Sequence, residues 1–464
     1  MPEAATVLDR RLAGALPAGS LYAVGGRVRD ELRSEIDGVE RTAKDLDYVV
    51  VGVAFDELVA RLGSVGSANV VGASFAVVKT TIGGVTADIA LPRRERSTGV
   101  GHRDFEVESG PHVPLTEDLA RRDFRMNMIA RQLPTGRVVD PYGGRDDILA
   151  RRIDVLHEAA FSEDPLRLLR ACQFAARFAF MVTSRTRAAM SAAAPLVVSV
   201  SPERIRDELI KLIALAPQPS AGIELMRETG LLELVLPELA EGIGIAQNAY
   251  HRYDVYRHNL ATGDAVPPGD LVLRLATLLH DVGKPRTKDG PHFYGHEIVG
   301  ADMARALLER LRFTNDQVAR VTGLVRNHMY ATDPIQKDGA LRRFIRRVGG
   351  GEIAHQFALR HADIAGSGLP KRGDENERFE ARVYDLLEGK PALCERDLAL
   401  GGMDVIAELV AAKRLPPGSR GGPLVGFHRR RLLEAVYDDP KLNTKEALTA
   451  LLRRELAEPA HKNR

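Results

Sequence analysis

Only two cysteines, Cys172 and Cys394, stand in a chain of 464 residues. They cannot build a disulfide framework or a cysteine zinc site, and their scarcity points to a reducing compartment. An excess of charge is also missing: 65 basic residues against 63 acidic ones leave a formal net charge of +2. A nucleic-acid partner would therefore be bound through local patches, not through a global positive field. No apolar run approaches the roughly 18 residues of a membrane span, and the N-terminal MPEAATVLDRRLAGALPAGS lacks the apolar core of a secretory signal. These absences predict a cytoplasmic protein without membrane contact. No repeat or long low-complexity tract is evident. A hydrophobic content of 44% is enough for sizeable cores, and the length suggests about three domains at roughly 150 residues each.

What is present concentrates first in Leu21 to Gly52. A short apolar run leads into Gly25-Gly26, a helix-like segment carries Arg29 and Asp30, and Asp45-Leu46-Asp47 precedes the run Tyr48-Val49-Val50-Val51. On a strand, residues two apart share a face, so Asp45 and Asp47 are expected to project together from a β-branched anchor. Paired carboxylates suit one or two hard divalent cations, and a glycine pair lets backbone N–H groups approach a phosphate. Together they are what phosphoryl or nucleotidyl transfer requires. Alone, D-x-D equally describes exposed acids at a strand end. In this order the residues resemble the polymerase β-like nucleotidyltransferases. The fuller form, G-G-x-V-R-D followed by D-x-D, is similar to the class II tRNA nucleotidyltransferase/poly(A) polymerase family, with a surplus around Ser34 to Thr42 that reads as a surface insertion.

The resemblance implies that Asp45 and Asp47 hold Mg²⁺ and that Gly25, Gly26 and Arg29 hold a triphosphate. Next along the chain, Val53 to Leu62 reads as a helix. Val70-Val71, Phe75 to Thr81 and Val85 to Leu91 read as strands, with a turn at Gly83-Gly84. The last strand contains Asp88, in T-A-D-I-A-L-P-R-R-E, where the family places a third carboxylate; otherwise it is an ordinary strand-end acid. Residues 96 to 118, rich in Gly, Ser, His and acids, predict a mobile loop. In the family such a loop helps CCA-adding members switch from C to A addition, and Gly72-Ala73-Ser74-Phe75 is likewise similar to those members.

Arg121-Arg122-Asp123-Phe124-Arg125-Met126-Asn127 predicts a helix start with cations and an amide at a solvent-facing end. The guanidinium fork suits phosphate, although an isolated R-R-D is also a solvated basic helix. R-R-D-F-x-x-N resembles the family's second motif, which implies that Arg121, Arg122, Asp123 and Asn127 contact the nucleotide's triphosphate and ribose. A turn at Asp140-Pro141-Tyr142-Gly143-Gly144 closes this domain.

Glu163-Asp164-Pro165-Leu166-Arg167 opens an apolar-periodic helix through Leu169, Phe174 and Phe178, with Ser162 expected as its N-cap and Pro165 in its first turn. Asp164 and Arg167 share a face. They form either an intrahelical ion pair worth about 0.2–0.5 kcal/mol or a base reader. Cytosine and adenine both offer an exocyclic amine beside an accepting ring nitrogen, which a carboxylate and a guanidinium match; uracil and guanine do not. E-D-x-x-R resembles the family's nucleotide-selection motif, carried here by Glu163, Asp164 and Arg167, with Arg170 one turn on. Ser201 to Glu208 predicts another helix with a capped first turn, similar to a scaffolding motif of the family.

From about residue 250, histidines and acids dominate. A lone buried histidine is usually a satisfied core residue, but L-L-H-D-V-G-K-P places His280-Asp281 at a helix end beside a glycine turn. Imidazole and carboxylate suit transition metals as well as Mg²⁺ or Mn²⁺. The order H…HD…H…H…D resembles the HD-superfamily metal-dependent phosphohydrolases. That implies ligands His258, His280, Asp281, His296, His328 and Asp363, with Lys284 near a bound phosphate. The combination is similar to bacterial CCA-adding enzymes that also hydrolyse phosphoesters, as phosphatase, 2′-nucleotidase or 2′,3′-cyclic phosphodiesterase; a docking module with vestigial activity is the alternative. The helical, locally basic tail carries Arg429-Arg430-Arg431 and the family-like Gly402, Asp404, Gly422, Pro423, Gly426, Asn443 and Glu446. The resemblance implies that it grips the tRNA backbone by shape, although a run of arginines also forms a solvated helix face.

The expected architecture is an α+β polymerase β-like nucleotidyltransferase head with a mixed sheet (1–148), an all-α neck for nucleotide recognition (149–230), an HD helical domain (231–381) and a helical tail (382–464). The expected function is template-independent addition of the 3′-terminal CCA to tRNA from CTP and ATP with Mg²⁺, beside an HD site holding Mg, Mn or a transition metal, in a monomer or homodimer. Its rivals are a poly(A) polymerase, an enzyme adding only A or only CC, and an HD phosphohydrolase whose head binds RNA without catalysis.

Overall fold

A computed structural model describes residues 3–41, 46–71, 76–97, 105–333, 335–371 and 373–457. Asp45, Thr42, Gly72 to Phe75 and part of the 96–118 segment therefore lie outside the described residues. The chain forms two compact units. One comprises 1–240 with 267–271 and 307–313; the other comprises 241–266, 272–306 and 314–464.

The first unit is built on a seven-stranded mixed sheet. Its strands are β1 (Leu21–Val24), β2 (Asp47–Val50), β3 (Ser67–Val70), β4 (Val77–Ile82) and β5 (Val85–Ala90), followed after a separate β-ribbon by two short strands. The ribbon pairs β6 (Arg93–Ser97) with β7 (Phe105–Ser109), and the short strands are β8 (Ala130–Gln132) and β9 (Val138–Val139). The sheet order is β3-β4-β5-β2-β1-β8-β9. Every neighbour pair in it is antiparallel except β2 and β5, which run parallel with Asp47 opposite Asp88. β1 is buried along its whole length and β2 after Asp47, which explains their continuous apolar runs.

Helices α1 (Glu3–Ala15), α2 (Gly26–Asp37) and α3 (Phe55–Gly63) accompany the sheet, and α4 (Leu115–Ala120), α5 (Gly144–Leu149), α6 (Ala160–Glu163) and α7 (Leu166–Phe178) follow. Arg27 of α2 is buried and donates to both Asp9 oxygens, at 3.0 and 2.6 Å, and to the Tyr48 hydroxyl at 2.7 Å. That network ties α1, α2 and β2 together at the strand that carries Asp47. Helices continue after α7, with one short parallel ladder pairing Arg152–Ile153 and Met181–Val182.

Four local expectations change. The described ends of the 96–118 segment form the β6–β7 ribbon and α4 rather than a loop. Arg121 caps the C-terminal end of α4 instead of opening a helix, and a 3₁₀ turn at Arg125–Asn127 follows. Ser162 lies inside α6 and bonds back to Ala159 O; Asp164 accepts from Leu166 N at 3.2 Å and so supports the start of α7. Ser201 occupies the N-cap of helix Pro202–Leu215 but makes no side-chain cap bond; the first turn starts instead from Pro202, whose fixed φ suits that position and whose missing N–H costs nothing there.

The second unit is helical. Its first core gathers around Tyr330, Phe344, Phe357 and Phe379, and its tail packs around Leu400, Leu409, Leu432 and Tyr437. Among the described residues, no helix is long and apolar enough to cross a membrane.

Candidate nucleotidyl-transfer and metal sites

In the first unit a cleft of about 670 Å³ is lined by Gly25, Gly26, Arg29, Asp47, Arg122, Asp123, Asn127, Asp164, Arg167 and Arg170, among others. Ten of the sequence-derived candidates thus converge from α2, β2, the turn after α4, and α7. Arg121, Glu163 and Asp88 do not line it. Asp88 faces Asp47 across the parallel β2–β5 pair, lies 3.7 Å from Lys79 and is half exposed. Arg121 and Glu163 act on neighbours instead: Arg121 donates to Asp118, and Glu163 pairs with Arg167 at 3.3 Å.

Gly25 shows why the glycine pair is there. Its φ of +72° is in the left-handed region, and a Cβ at this position would lie 3.0 Å from Arg122 Nη1 and 3.7 Å from Asp47 Oδ2. A side chain would intrude between the guanidinium and the carboxylate, at the N-terminus of α2, where backbone N–H groups favour anions. Gly25→Ala is expected to lower nucleotide-addition efficiency about 10- to 100-fold through backbone strain and lost space. Steady-state kinetics with a tRNA primer measures it, and an unchanged KM for nucleotide would contradict the assignment.

The arginines are held by a web of buried acids. Asp118, fully buried, accepts from Arg121 at 2.8 Å and from Arg122 at 3.2 Å. Asp123 accepts from Asn127 Nδ2 and Arg170 Nε, each at 2.8 Å, and Asn127 Oδ1 accepts from Arg29 at 2.9 Å. Arg29 also lies over Phe178 and Phe174, 4.6 and 5.1 Å from their centroids, while Arg170 lies 5.2 Å from Phe174 and Arg33 4.0 Å from Phe178. This alternation of guanidinium and aromatic faces orients the cations without consuming their charge.

Burial by itself would raise Asp123, but the charges of Arg170 and Arg167 and the Asn127 amide outweigh it and bring its pKa to about 2, from 3.8. Its stabilising effect is therefore present above about pH 4 and is lost as the pH falls toward 2. In thermal melts, the Tm difference between the native chain and Asp123→Asn should be largest at neutral pH and shrink between pH 4 and 2. A difference that stays constant through that range would contradict the coupling.

Asp164 and Arg167 reach the same cleft but do not pair with each other. Arg204 donates to both Asp164 oxygens, at 3.3 and 3.1 Å. Arg167 donates to Ala160 O, Glu163 and Arg121 O, at 3.2, 3.3 and 2.5 Å. Each of the two groups is thus fixed by a partner outside the pair. Glu208, buried on the same helix as Arg204, accepts from Arg170 at 3.4 Å and from Lys211 at 2.8 Å. The segment Ser201–Glu208, read as scaffold, therefore braces two cleft residues directly.

In the second unit, His258, His280, Asp281, His296, His328 and Asp363 come together. His280 and Asp281 follow helix Leu271–Leu279, His258 lies on Val255–Asp264, His296 opens His296–Arg310, His328 caps Asn315–Asn327 and Asp363 lies on Ile353–Gly366. A Cβ on Gly283 would sit 2.2 Å from His296 O, so only glycine lets the turn after the His-Asp pair approach that helix. All four Nδ1 atoms meet backbone carbonyls: His258 with Gly366 O at 3.1 Å, His280 with Thr277 O at 2.8 Å, His296 with Phe293 O at 2.6 Å and His328 with Val325 O at 2.7 Å. A carbonyl can only accept, so each Nδ1 carries a proton and each Nε2 is turned inward.

Those Nε2 atoms face one another, at 3.1 Å between His258 and His280 and 3.2 Å between His296 and His328. Such an arrangement calls for a cation between them. Asp281 divides its oxygens: Oδ2 lies 3.4 Å from His258 and 3.2 Å from His280, Oδ1 3.3 Å from His296 and 3.5 Å from His328. Oδ1 is buried and makes no hydrogen bond, whereas Lys284 sits 2.5 Å from Oδ2. The donor set and the orphaned oxygen fit a divalent metal. His251, which the sequence reading passed over, joins His258 and Asp281 with ligand atoms within 4.8 Å of one another. Burial and the Lys284 charge bring its pKa down to about 4, so it is neutral.

Four of the tail residues singled out in the sequence make contacts within the tail. Asp404 accepts from Gly401 N at 3.0 Å and pairs with Lys445 at 2.8 Å; Asn443 bridges Ala399 N and Asp397 O. Arg429 donates to Glu395 O and Arg431 pairs with Glu455 at 3.1 Å.

Comparison with known proteins agrees with this division. Residues 21–154 match the poly A polymerase head domain, 179–243 the probable RNA and SrmB-binding site of polymerase A, and 249–363 the HD domain. The chain is 36% identical to the multifunctional CCA protein of Azoarcus sp. (strain BH72) over 77% of this chain and 85% of that one. It is 35% identical to that of Xanthomonas campestris pv. campestris (strain B100) over 85% and 97%. In fold it is similar to the Bacillus stearothermophilus CCA-adding enzyme solved in complex with CTP, with a TM-score of 0.64 and 23% identity over 98% and 96% of the two chains. It is also similar to the Thermotoga maritima CCA-adding enzyme complexed with tRNA, with a TM-score of 0.57 and 20% identity over 98% and 96%.

Proposed function

Because this chain belongs to the class II tRNA nucleotidyltransferase/poly(A) polymerase family and carries an HD domain, we propose that its first unit builds or repairs the 3′ CCA end of tRNA from CTP and ATP. The observation that carries this is the convergence of Gly25, Asp47, Arg122, Asp164 and Arg167 on one cleft. In the division of labour we assign, residues 1–148 perform transfer, 149–230 select the nucleotide, 231–381 hydrolyse phosphoesters and 382–464 dock the tRNA.

Arg29, Arg122 and Arg170 receive the triphosphate together with the N–H groups at the start of α2. Asp164 accepts from the exocyclic amine of cytosine or adenine while Arg167 donates to the neighbouring ring nitrogen. Arg204 and Glu163 hold that pair in register, so the two bases are chosen without a template. Asp47, with Asp45 as its expected partner and Asp88 across the ladder, would hold Mg²⁺, which lowers the pKa of the RNA 3′-OH and offsets the charge of the departing pyrophosphate. In the second unit the six ligands split around Asp281 into two sets, His258, His280 and Asp363 with one oxygen, His296 and His328 with the other. We assign them a pair of divalent ions, with Lys284 steadying the shared carboxylate. The setting that suits a tRNA-modifying enzyme with two unpaired cysteines is the cytoplasm.

The test uses purified chain, Mg²⁺ and tRNA transcripts ending at the discriminator base, at C, or at CC, each with labelled CTP, ATP, GTP or UTP and products sized on a gel. Two C additions followed by one A and a stop are expected. Addition of only C or only A would make it half of a split pathway, long A tails a poly(A) polymerase, and no addition to any transcript would overturn the transferase reading.

A further inference from the structure

We propose that the apolar wall of the HD cleft is a base-binding subsite, in which Tyr250 and Tyr294 stack on the nucleobase of the phosphoester whose phosphate lies at the histidine and aspartate cluster. The inference rests on the phosphohydrolase reading above and names the side chains by which that site tells a nucleoside phosphate from a bare or aliphatic phosphoester.

The cleft measures about 550 Å³, and Asp281, His296, His328 and Asp363 lie along it. A phosphate fills only the polar end of such a volume, which is that of a site for a whole small molecule. The remainder is bounded by Tyr250, Tyr294, Met329, Ile364, Leu369 and Pro370. Tyr250 is 70% exposed and Tyr294 76% exposed, the two most exposed aromatic side chains among the described residues, and both stand at this one cleft. Exposed aromatic surface gathered at a cavity marks recognition of a flat apolar group with polar edges.

Both rings are tied to the ligand cluster by the chain itself. Tyr250 precedes His251, and its N–H donates to Asn248 Oδ1 at 3.1 Å. Tyr294 stands two residues before His296 in a loop pinned by the buried Phe293 and by the backbone bridge between Asp289 and His292. Its ring stacks on His292, with centroids 5.1 Å apart and planes 16° from parallel. A face already stacked on one side presents the other to a base. Lys284 and Arg360 line the same cleft beside Asp281 and Asp363 and bring positive charge to the phosphate side. Base–aromatic stacking is tolerant of base identity, so the subsite distinguishes nucleotide from non-nucleotide more than one base from another. A mononucleotide and the terminal nucleotide of an RNA offer this same chemistry.

The experiment uses the full chain loaded with Mn²⁺, unaltered and as Tyr250→Ala, Tyr294→Ala and Tyr294→Phe. Calorimetry follows binding of a non-hydrolysable phosphonate analogue of adenosine 2′-monophosphate. Phosphate release follows hydrolysis of adenosine 2′-monophosphate, of glycerol 2-phosphate and of a tRNA carrying a terminal 2′-phosphate. Each alanine variant should weaken the analogue on the order of tenfold or more and raise KM for adenosine 2′-monophosphate in proportion. Glycerol 2-phosphate turnover should stay within about twofold, and Tyr294→Phe should bind as the unaltered chain does. A matching rise in KM for the tRNA would place an RNA terminus in the subsite; an unchanged one would reserve it for mononucleotides. Equal analogue affinity in all variants, or equal losses on both small esters, would overturn the subsite. Hydrolysis of none of the esters by the unaltered chain would overturn the phosphohydrolase reading alone, because the calorimetry decides the subsite without turnover.

Discussion

Asp47→Ala is expected to abolish nucleotide addition, lowering kcat/KM for CTP and ATP by at least about a thousandfold. The carboxylate is the first residue of β2 and faces the cleft beside Gly25. The strand behind it is buried at Tyr48, Val49 and Val50, so the site keeps its shape when the side chain is shortened. What is lost is charge where the reaction develops it. The triphosphate would still meet Arg29, Arg122 and Arg170, and the base would still meet Asp164 and Arg167. Binding of CTP, measured by equilibrium dialysis without turnover, should therefore weaken far less than the rate falls. Phosphoester hydrolysis by the second unit should be unchanged. Retention of nucleotide addition within tenfold would remove Asp47 from the reaction and return the head to RNA binding.

Asp281→Asn should empty the metal site and abolish phosphoester hydrolysis while leaving CCA addition within about twofold. Asp281 is 1% exposed, and its two oxygens are placed one against each imidazole pair. Asparagine preserves the volume but puts an N–H₂ where one of those oxygens accepts a cation. It also leaves the buried Lys284 ammonium without its counter-charge, although Gln247 still accepts from it at 2.7 Å. Breaking one side of a buried pair costs about 3–5 kcal/mol, so the second unit should also melt at lower temperature. Metal analysis by mass spectrometry separates the causes: a folded variant with unchanged metal content and lost hydrolysis would show that Asp281 is not a ligand. Chelation of the native chain should reproduce the loss of hydrolysis, with return on adding Mn²⁺ or another divalent ion.

Much of both sites was legible because their chemistry depends on residues that cannot be exchanged. Gly25 needs a positive φ and room, Asp47 needs charge at a strand start, and the adjacent His280 and Asp281 are hard to explain as core. The residues that hold these groups were less visible. Arg204 and Glu208 act on Asp164 and Arg170 across 40 and 38 positions of the chain, and nothing in local spacing marks such a partner. His251 was within reach, since it stands seven residues before His258, where histidines and acids begin to recur along the chain. The β6–β7 ribbon was missed for a different reason. Arg93 to Ser97 is charged at four of its five positions and shows no apolar alternation, and the two apolar residues of Phe105 to Ser109, Phe105 and Val107, are too few to outweigh the glycines, histidines and acids around them. Ser162 was mistaken for a cap because Asp164, two residues closer to α7, competes for the same role and is better placed to accept from Leu166 N.

The register of β2 bears on how this fold can change in evolution. Leu21 lies opposite Val50 on one flank and Asp88 opposite Asp47 on the other, so β2 is positioned from both sides independently of the connector that leads into it. A slip by one residue would turn Asp47 to the far face of the sheet, and two flanking ladders resist that slip. Insertions and deletions between Gly38 and Arg41, upstream of Asp45, are thereby uncoupled from the placement of the Asp47 carboxylate. Lineages can lengthen or shorten that part of the connector, and engineers can graft a tag or affinity handle into it, without shifting the register of β2.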